Sequence, residues 1–170
     1  MQLSIRPWTE ADAPVIAEAL NDAGVTDNLR DGLPTPYTEA DARDYIAFAQ
    51  TAGEGAYAFA IAEDGVAVGS IQLTRQQNIH RRTAELGYYV VRRRWGAGIC
   101  TEAVRQICRF AFENTDVLRI FAEPFAENAA SCRVLEKAGF QLEGVLRHNA
   151  VKNGQVRDMR LYSLVREDLE

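Results

Sequence analysis

The sequence predicts an α/β (α+β) fold, a mixed and mostly antiparallel central sheet of about seven strands flanked by about four helices. Three observations carry this. Short runs of alternating apolar residues recur along the chain, and segments with apolar residues at helical spacing separate some of them. In the second half, two helical segments each lie between strands, which is the crossover that parallel neighbours require. The length of 170 residues, 47% hydrophobic and 25% charged, suits one globular domain over residues 1–170.

The elements follow in order. Residues 3–6 alternate as a strand, and Thr9 to Asp12 form a capping-box-like start for a helix carrying Val15, Ile16, Ala19 and Leu20 on one stripe. Residues 21–36 contain Gly24, Gly32, Pro34 and Pro36 and read as loop or broken helix. A second capping signal, Thr38 to Asp41, opens a helix whose Tyr45, Ile46 and Ala49 share a face. Residues 57–62 and 66–73 are two strands joined through Asp64-Gly65, a strong hairpin signal. After a polar turn at 78–82, residues 84–91 complete a four-stranded meander, with Leu86, Tyr88 and Val90 alternating against Glu85, Gly87 and Tyr89. Val104, Ile107, Cys108 and Ala111 then recur at helical spacing behind a glycine-rich turn. A strand at 118–122, a helix at 129–138 stopped by Gly139, and strands at 140–146 and 157–165 linked near Lys152-Asn153-Gly154 close the chain.

Composition excludes several functions. Nineteen Lys and Arg against 24 Asp and Glu leave a net charge of −5, which argues against nucleic-acid backbone binding. No apolar run approaches the ~20 residues that span a bilayer, and the N-terminus lacks a secretory pattern, so neither a membrane partner nor export is expected. Cys100, Cys108 and Cys132 are odd in number and lack C-x-x-C spacing, so they read as small buried hydrophobes in a reducing cytoplasm. With only His80 and His148 besides, no metal site is expected.

Trp95-Gly96-Ala97-Gly98-Ile99 between a strand and a helix has two readings. One is a tight turn; the other is an anion cradle, because glycines let backbone N–H groups at a helix N-terminus approach oxygen atoms closely. Arg92, Arg93 and Arg94 just before it favour the second, with at least one arginine expected on a phosphate.

Gly96-Ala97-Gly98 with Thr101-Glu102-Ala103 after Tyr88-Tyr89-Val90, Asn128 and Ser131 followed by residues 134–140, and Glu143 to Arg147 together resemble the GNAT acetyltransferases, more narrowly the RimJ/RimL-like, ribosomal-protein-alanine N-acetyltransferase branch. The likeness runs from about residue 5 to 168 in the same element order. It implies a sheet splayed between the fourth and fifth strands, with acetyl-CoA lying in the gap as co-substrate. Backbone groups of Val90, Val91 and Arg92 would hold the pantetheine, and those of Gly96, Ala97, Gly98, Ile99, Cys100 and Thr101 the pyrophosphate, with Trp95, Asn128 and Ser131 alongside. Two departures stand out: Trp95 replaces the usual Gln or Arg, and Cys100 replaces Gly or Ala.

Many GNAT members carry a Tyr that protonates the leaving thiolate, and the matching position here is Leu135. The branch resemblance offers Ser131 instead; its other reading is an ordinary first-turn Ser. Glu85, mid-strand among apolar neighbours, is the candidate base, directly or through water, or else an exposed strand residue. Arg30, Leu33, Tyr37, Glu85, His148 and Asp158 are the candidate acceptor wall, with His148 in a late loop beside the opening or simply on the surface.

An α-amine with pKa near ~8 is roughly a tenth neutral at pH 7, whereas a lysine amine near ~10.4 is neutral less than about one part in a thousand. A site of moderate base strength therefore favours a protein N-terminus as acceptor. A small amine such as a polyamine, amino acid or antibiotic is the alternative, and a non-catalytic acyl-CoA-binding module is the alternative of another class. A cysteine acyl-enzyme through Cys100 or Cys132 suits neither the histidine supply nor the fold. A homodimer is common among the lookalikes, and the sequence leaves oligomeric state open.

Overall fold

The computed structural model describes residues 1–169. Its seven strands, β1 (Leu3–Arg6), β2 (Ala56–Glu63), β3 (Val66–Arg75), β4 (Thr83–Val90), β5 (Arg119–Ala122), β6 (Gln141–Lys152) and β7 (Gln155–Val165), form one sheet in the order β1-β2-β3-β4-β5-β7-β6. Every neighbouring pair is antiparallel except β4 and β5. The hairpin between β2 and β3 turns on Asp64 and Gly65, both at positive φ (48° and 86°), the conformation that the Asp-Gly pair favours.

The helices start where local chemistry supplies a cap. Ahead of α1 (Ala13–Leu20), the Thr9 N–H donates to the Asp12 carboxylate at 2.9 Å, and Arg6 donates to the same carboxylate through both terminal nitrogens at 2.8 and 2.9 Å. Thr38 and Asp41 form a reciprocal box, at 3.1 and 2.9 Å, where α3 (Glu39–Thr51) begins. Between them lies α2 (Ala23–Thr26), a single turn capped by Asp22, inside the segment expected as loop or broken helix. It raises the helix number from the expected four to five among the described residues, with α4 (Ile99–Asn114) and α5 (Ala129–Lys137).

Strand alternation sorts the core into two clusters. Ile61 and Val68 pack with Val104, Ile107 and Ala111 of α4, while Ala60 and Ala67 pack with Ile16 of α1 and Ile46 of α3. The sheet is thus covered on both faces.

The largest departure from expectation is β6, which runs to Lys152 rather than stopping at Leu146. The region expected as a late loop is paired strand, interrupted by register shifts at Leu142/Gly144 and Leu146/Ala150. His148 sits in the second interruption at φ 53°.

Candidate active site at the parting strands

β4 and β5 are in register for three pairs, Thr83 with Arg119, Ala84 with Ile120 and Glu85 with Phe121. Beyond Glu85 they part. The Val91 N–H donates to the Val68 carbonyl of β3 at 2.9 Å, so strand alternation turns the N–H and C=O groups of Tyr88 and Val90 the other way, into the gap that β5 has left. Val91 is spent inside the chain, since its carbonyl also accepts from Arg94 at 3.0 Å. The Val90 carbonyl accepts from the Trp95 indole at 2.8 Å, which ties the glycine turn to the end of β4 and gives Trp95 a structural reason to stand there.

Gly96 and Gly98 lie at φ 80° and 76°, where a side chain would be strained even though the space beside each is open. Among the described residues no acceptor serves the N–H groups of Gly96, Ala97, Gly98, Ile99, Cys100 and Thr101; the first helical bond of α4 runs from Glu102 to Gly98. Six consecutive donors at the positive end of a four-turn helix form a cradle for an anion.

The three arginines before this turn are engaged elsewhere. Arg92 pairs with Asp22 at 2.5 Å and stacks over Trp95, Arg93 pairs with Glu18 at 3.0 Å, and Arg94 with Glu63 at 2.5 Å. Their carboxylate partners lie on the cap of α2, on α1 and on β2, too far along the chain for spacing to reveal. In this structure each of the three is paired with a carboxylate, and the cradle itself is made of backbone.

At the mouth of the gap is a cavity of about 480 Å³ whose lining includes Arg30, Leu33, Tyr37, Glu85, Tyr88 and Ser131. Glu85 reaches it from the last paired position of β4, and its carboxylate is bonded to the Arg30 guanidinium, which also lies 3.9 Å from Glu123. Burial pushes the Glu85 carboxyl up; Arg30 opposes this, Glu123 adds to it, and the outcome is a raised value. Ser131 reaches the cavity from the first turn of α5, where the Asn128 side chain caps its N–H at 3.1 Å. Its hydroxyl lies 2.7 Å from the hydroxyl of Tyr88. Leu135 is fully buried. Burial pushes the Cys100 thiol up to about 12, a poor setting for a nucleophile.

Two expected wall residues are not brought together with the rest. The His148 N–H donates to the Asp158 carboxylate at 2.8 Å within the β6–β7 hairpin, and neither residue lines the cavity. Two residues that sequence reasoning passed over, Tyr88 and Glu123, do line it. Tyr88 carried one usable signal: a tyrosine on the inward face of an alternating strand must find a partner for its hydroxyl.

A profile of the acetyltransferase (GNAT) domain matches residues 2–141. The chain belongs to the GNAT acetyltransferase family. Within that family it is 37% identical over 99 residues to the uncharacterized N-acetyltransferase YoaA of Bacillus subtilis, a match covering 58% of this chain and 55% of that protein. Among solved structures, RimJ of Mycobacterium smegmatis in complex with CoA-disulfide superposes with a TM-score of 0.87 at 24% identity, covering 98% of this chain and 83% of that one. Spermidine N-acetyltransferase of Vibrio cholerae, in complex with CoA and spermine, superposes at 0.84 with 18% identity, covering 99% of each chain. These two likenesses show a shared fold.

Proposed function

We propose that this GNAT domain transfers an acetyl group from acetyl-CoA to the α-amine at a protein N-terminus, in the manner of the RimJ/RimL-like branch, by direct attack within a ternary complex. The observation that carries the reading is the placement of Glu85 and Ser131 on the walls of one cavity, at the point where β4 leaves β5.

The residues fit the coenzyme. The uncommitted N–H groups of residues 96–101 suit its pyrophosphate, and the outward N–H of Val90 with the backbone of Tyr88 suits the amides of its pantetheine arm, which adds to β4 like a strand. Acetyl-CoA, when bound, supplies an acetyl thioester. Glu85 takes the proton that the attacking amine sheds, and burial, which holds its carboxyl above the ordinary value, makes it a stronger base than an exposed carboxylate. Ser131 donates a hydrogen bond to the sulfur as the carbon–sulfur bond breaks. One such bond is adequate for a thiol of pKa near ~8.5.

A polyamine acceptor is the second reading. It is favoured by the carboxylates of Asp31, Glu85 and Glu123 in the cavity lining and by the spermidine acetyltransferase likeness. Incubation with acetyl-CoA and separate panels of N-terminally free peptides and polyamines, following free thiol, decides between them. Release with peptides supports the first reading, release with polyamines alone replaces it by the second, and tight coenzyme binding without turnover on either panel points to a binding module.

A further inference from the structure

Tyr88 stands behind Ser131. It is three residues along β4 from Glu85, and its hydroxyl has two partners, both on Ser131: the side-chain oxygen at 2.7 Å and the carbonyl at 3.3 Å. An inward-turned phenol places its hydrogen on an acceptor. The Ser131 carbonyl is in the first turn of α5, where helical geometry already assigns it a donor from the next turn, and the shorter contact is to the side-chain oxygen. Either hydroxyl can donate across the 2.7 Å contact. With the phenol as donor, the single hydrogen of that serine is left over for the cavity that Ser131 lines.

We infer that Tyr88 is the positioning residue for the proton-donor side of the reaction: its O–H donates to Ser131 Oγ and so frees the Ser131 hydrogen for the departing sulfur. This rests on the acetyltransferase reading above. When the amine nitrogen bonds to the acetyl carbon, the carbon–sulfur electron pair goes to sulfur and the surplus amine proton to Glu85. No proton leaves Tyr88. Burial pushes its phenol up, with the bond to Ser131 opposing only in part, so it stays protonated and works by polarising Ser131. The pair supplies from β4 and α5 the hydroxyl that Leu135 cannot.

The experiment reads the thiolate absorbance of coenzyme A bound to the protein as a function of pH, in the wild type, Tyr88→Phe, Ser131→Ala and the double variant. The wild type is expected to hold the bound thiol more acidic than free coenzyme A. Each single variant moves the midpoint toward the alkaline side, and the double variant moves it no further than Ser131→Ala does. In turnover, Tyr88→Phe lowers kcat about tenfold at unchanged KM for acetyl-CoA, and the deficit shrinks with thioesters of more acidic thiols. Difluorotyrosine at position 88, which keeps the shape and strengthens the donor, moves the midpoint the opposite way and tests the same point without loss of packing. A Tyr88→Phe midpoint equal to wild type, or single effects that add in the double variant, overturns the inference while leaving the enzyme reading intact. A wild type that binds no coenzyme A overturns the acetyltransferase reading itself.

Discussion

Glu85 feels its neighbours in opposite senses, which makes its role testable by sign. Burial and the Glu123 charge raise its pKa, and Arg30 lowers it. A base acts deprotonated, so kcat/KM rises with pH through the Glu85 value in the free enzyme. Because folding favours the protonated form of this group, its contribution to stability is fully present below the ordinary carboxylate range and is lost as pH rises through the raised value. Activity and this share of stability thus trade against each other in one window. Arg30→Gln is expected to move the acidic limb of the kcat/KM profile to higher pH, and Glu123→Gln to lower pH; movement of both in one direction would exclude Glu85 as the titrating base. Glu85→Gln should lower kcat by about a hundredfold or more. Ser131 was offered by the family resemblance and Glu85 by its place mid-strand among apolar neighbours, and both line the cavity. Arg30 and Tyr88 owe their partners to contacts 55 and 43 residues away, and no spacing rule reaches so far.

Elements with local causes were read correctly, and the one whose cause is distant was cut short. The capping boxes before α1 and α3 and the Asp-Gly hairpin depend on residues within four positions of each other. In β6 the two register shifts break the alternation, and most of its residues are exposed, so its second half carries no apolar pattern; pairing with β7 alone makes it a strand. Asp12 shows what a local cap gains from a tertiary partner. Burial pushes its carboxyl up, but the bonds from Arg6 and Thr9 outweigh this and hold it low. Its contribution is present above the ordinary carboxylate range and lost as pH falls through the depressed value. Asp12→Ala removes the paired bonds from Arg6 and the bond from the Thr9 N–H, while Arg6 keeps the Gly65 and Pro7 carbonyls; the expected cost is about 1–2 kcal/mol in urea unfolding at pH 7, and the deficit should narrow in acid. At the other functional helix, Gly98→Ala forces a side chain into the left-handed region at an expected cost of about 1–2 kcal/mol. The shifted N–H groups should weaken coenzyme A binding by about tenfold in calorimetry, as loss of one charge-assisted hydrogen bond would.

At the scale of the molecule, β1–β4 and β5–β7 meet along only three parallel pairs, so the gap that defines the site is also the narrowest join in the sheet. A second tie crosses it from outside. Lys152, buried at the tip of the β6–β7 hairpin, donates to Asp31 at 2.8 Å, and Asn153 beside it donates to Asp27 at 3.1 Å. These bonds anchor residues 27–31, the segment that carries Arg30 to Glu85, to the far half of the sheet. The glycine cradle at 96–101 takes no part in them. Lys152→Met keeps most of the buried side-chain volume and removes the tie. Its expected effect is therefore one-sided: KM for the acceptor rises on the order of tenfold as the wall loses its position, while the dissociation constant for coenzyme A stays at the wild-type value. Steady-state kinetics with varied acceptor, set beside calorimetric titration of coenzyme A, separates the two quantities. Equal losses in both would mean that the hairpin supports the whole gap rather than its acceptor side.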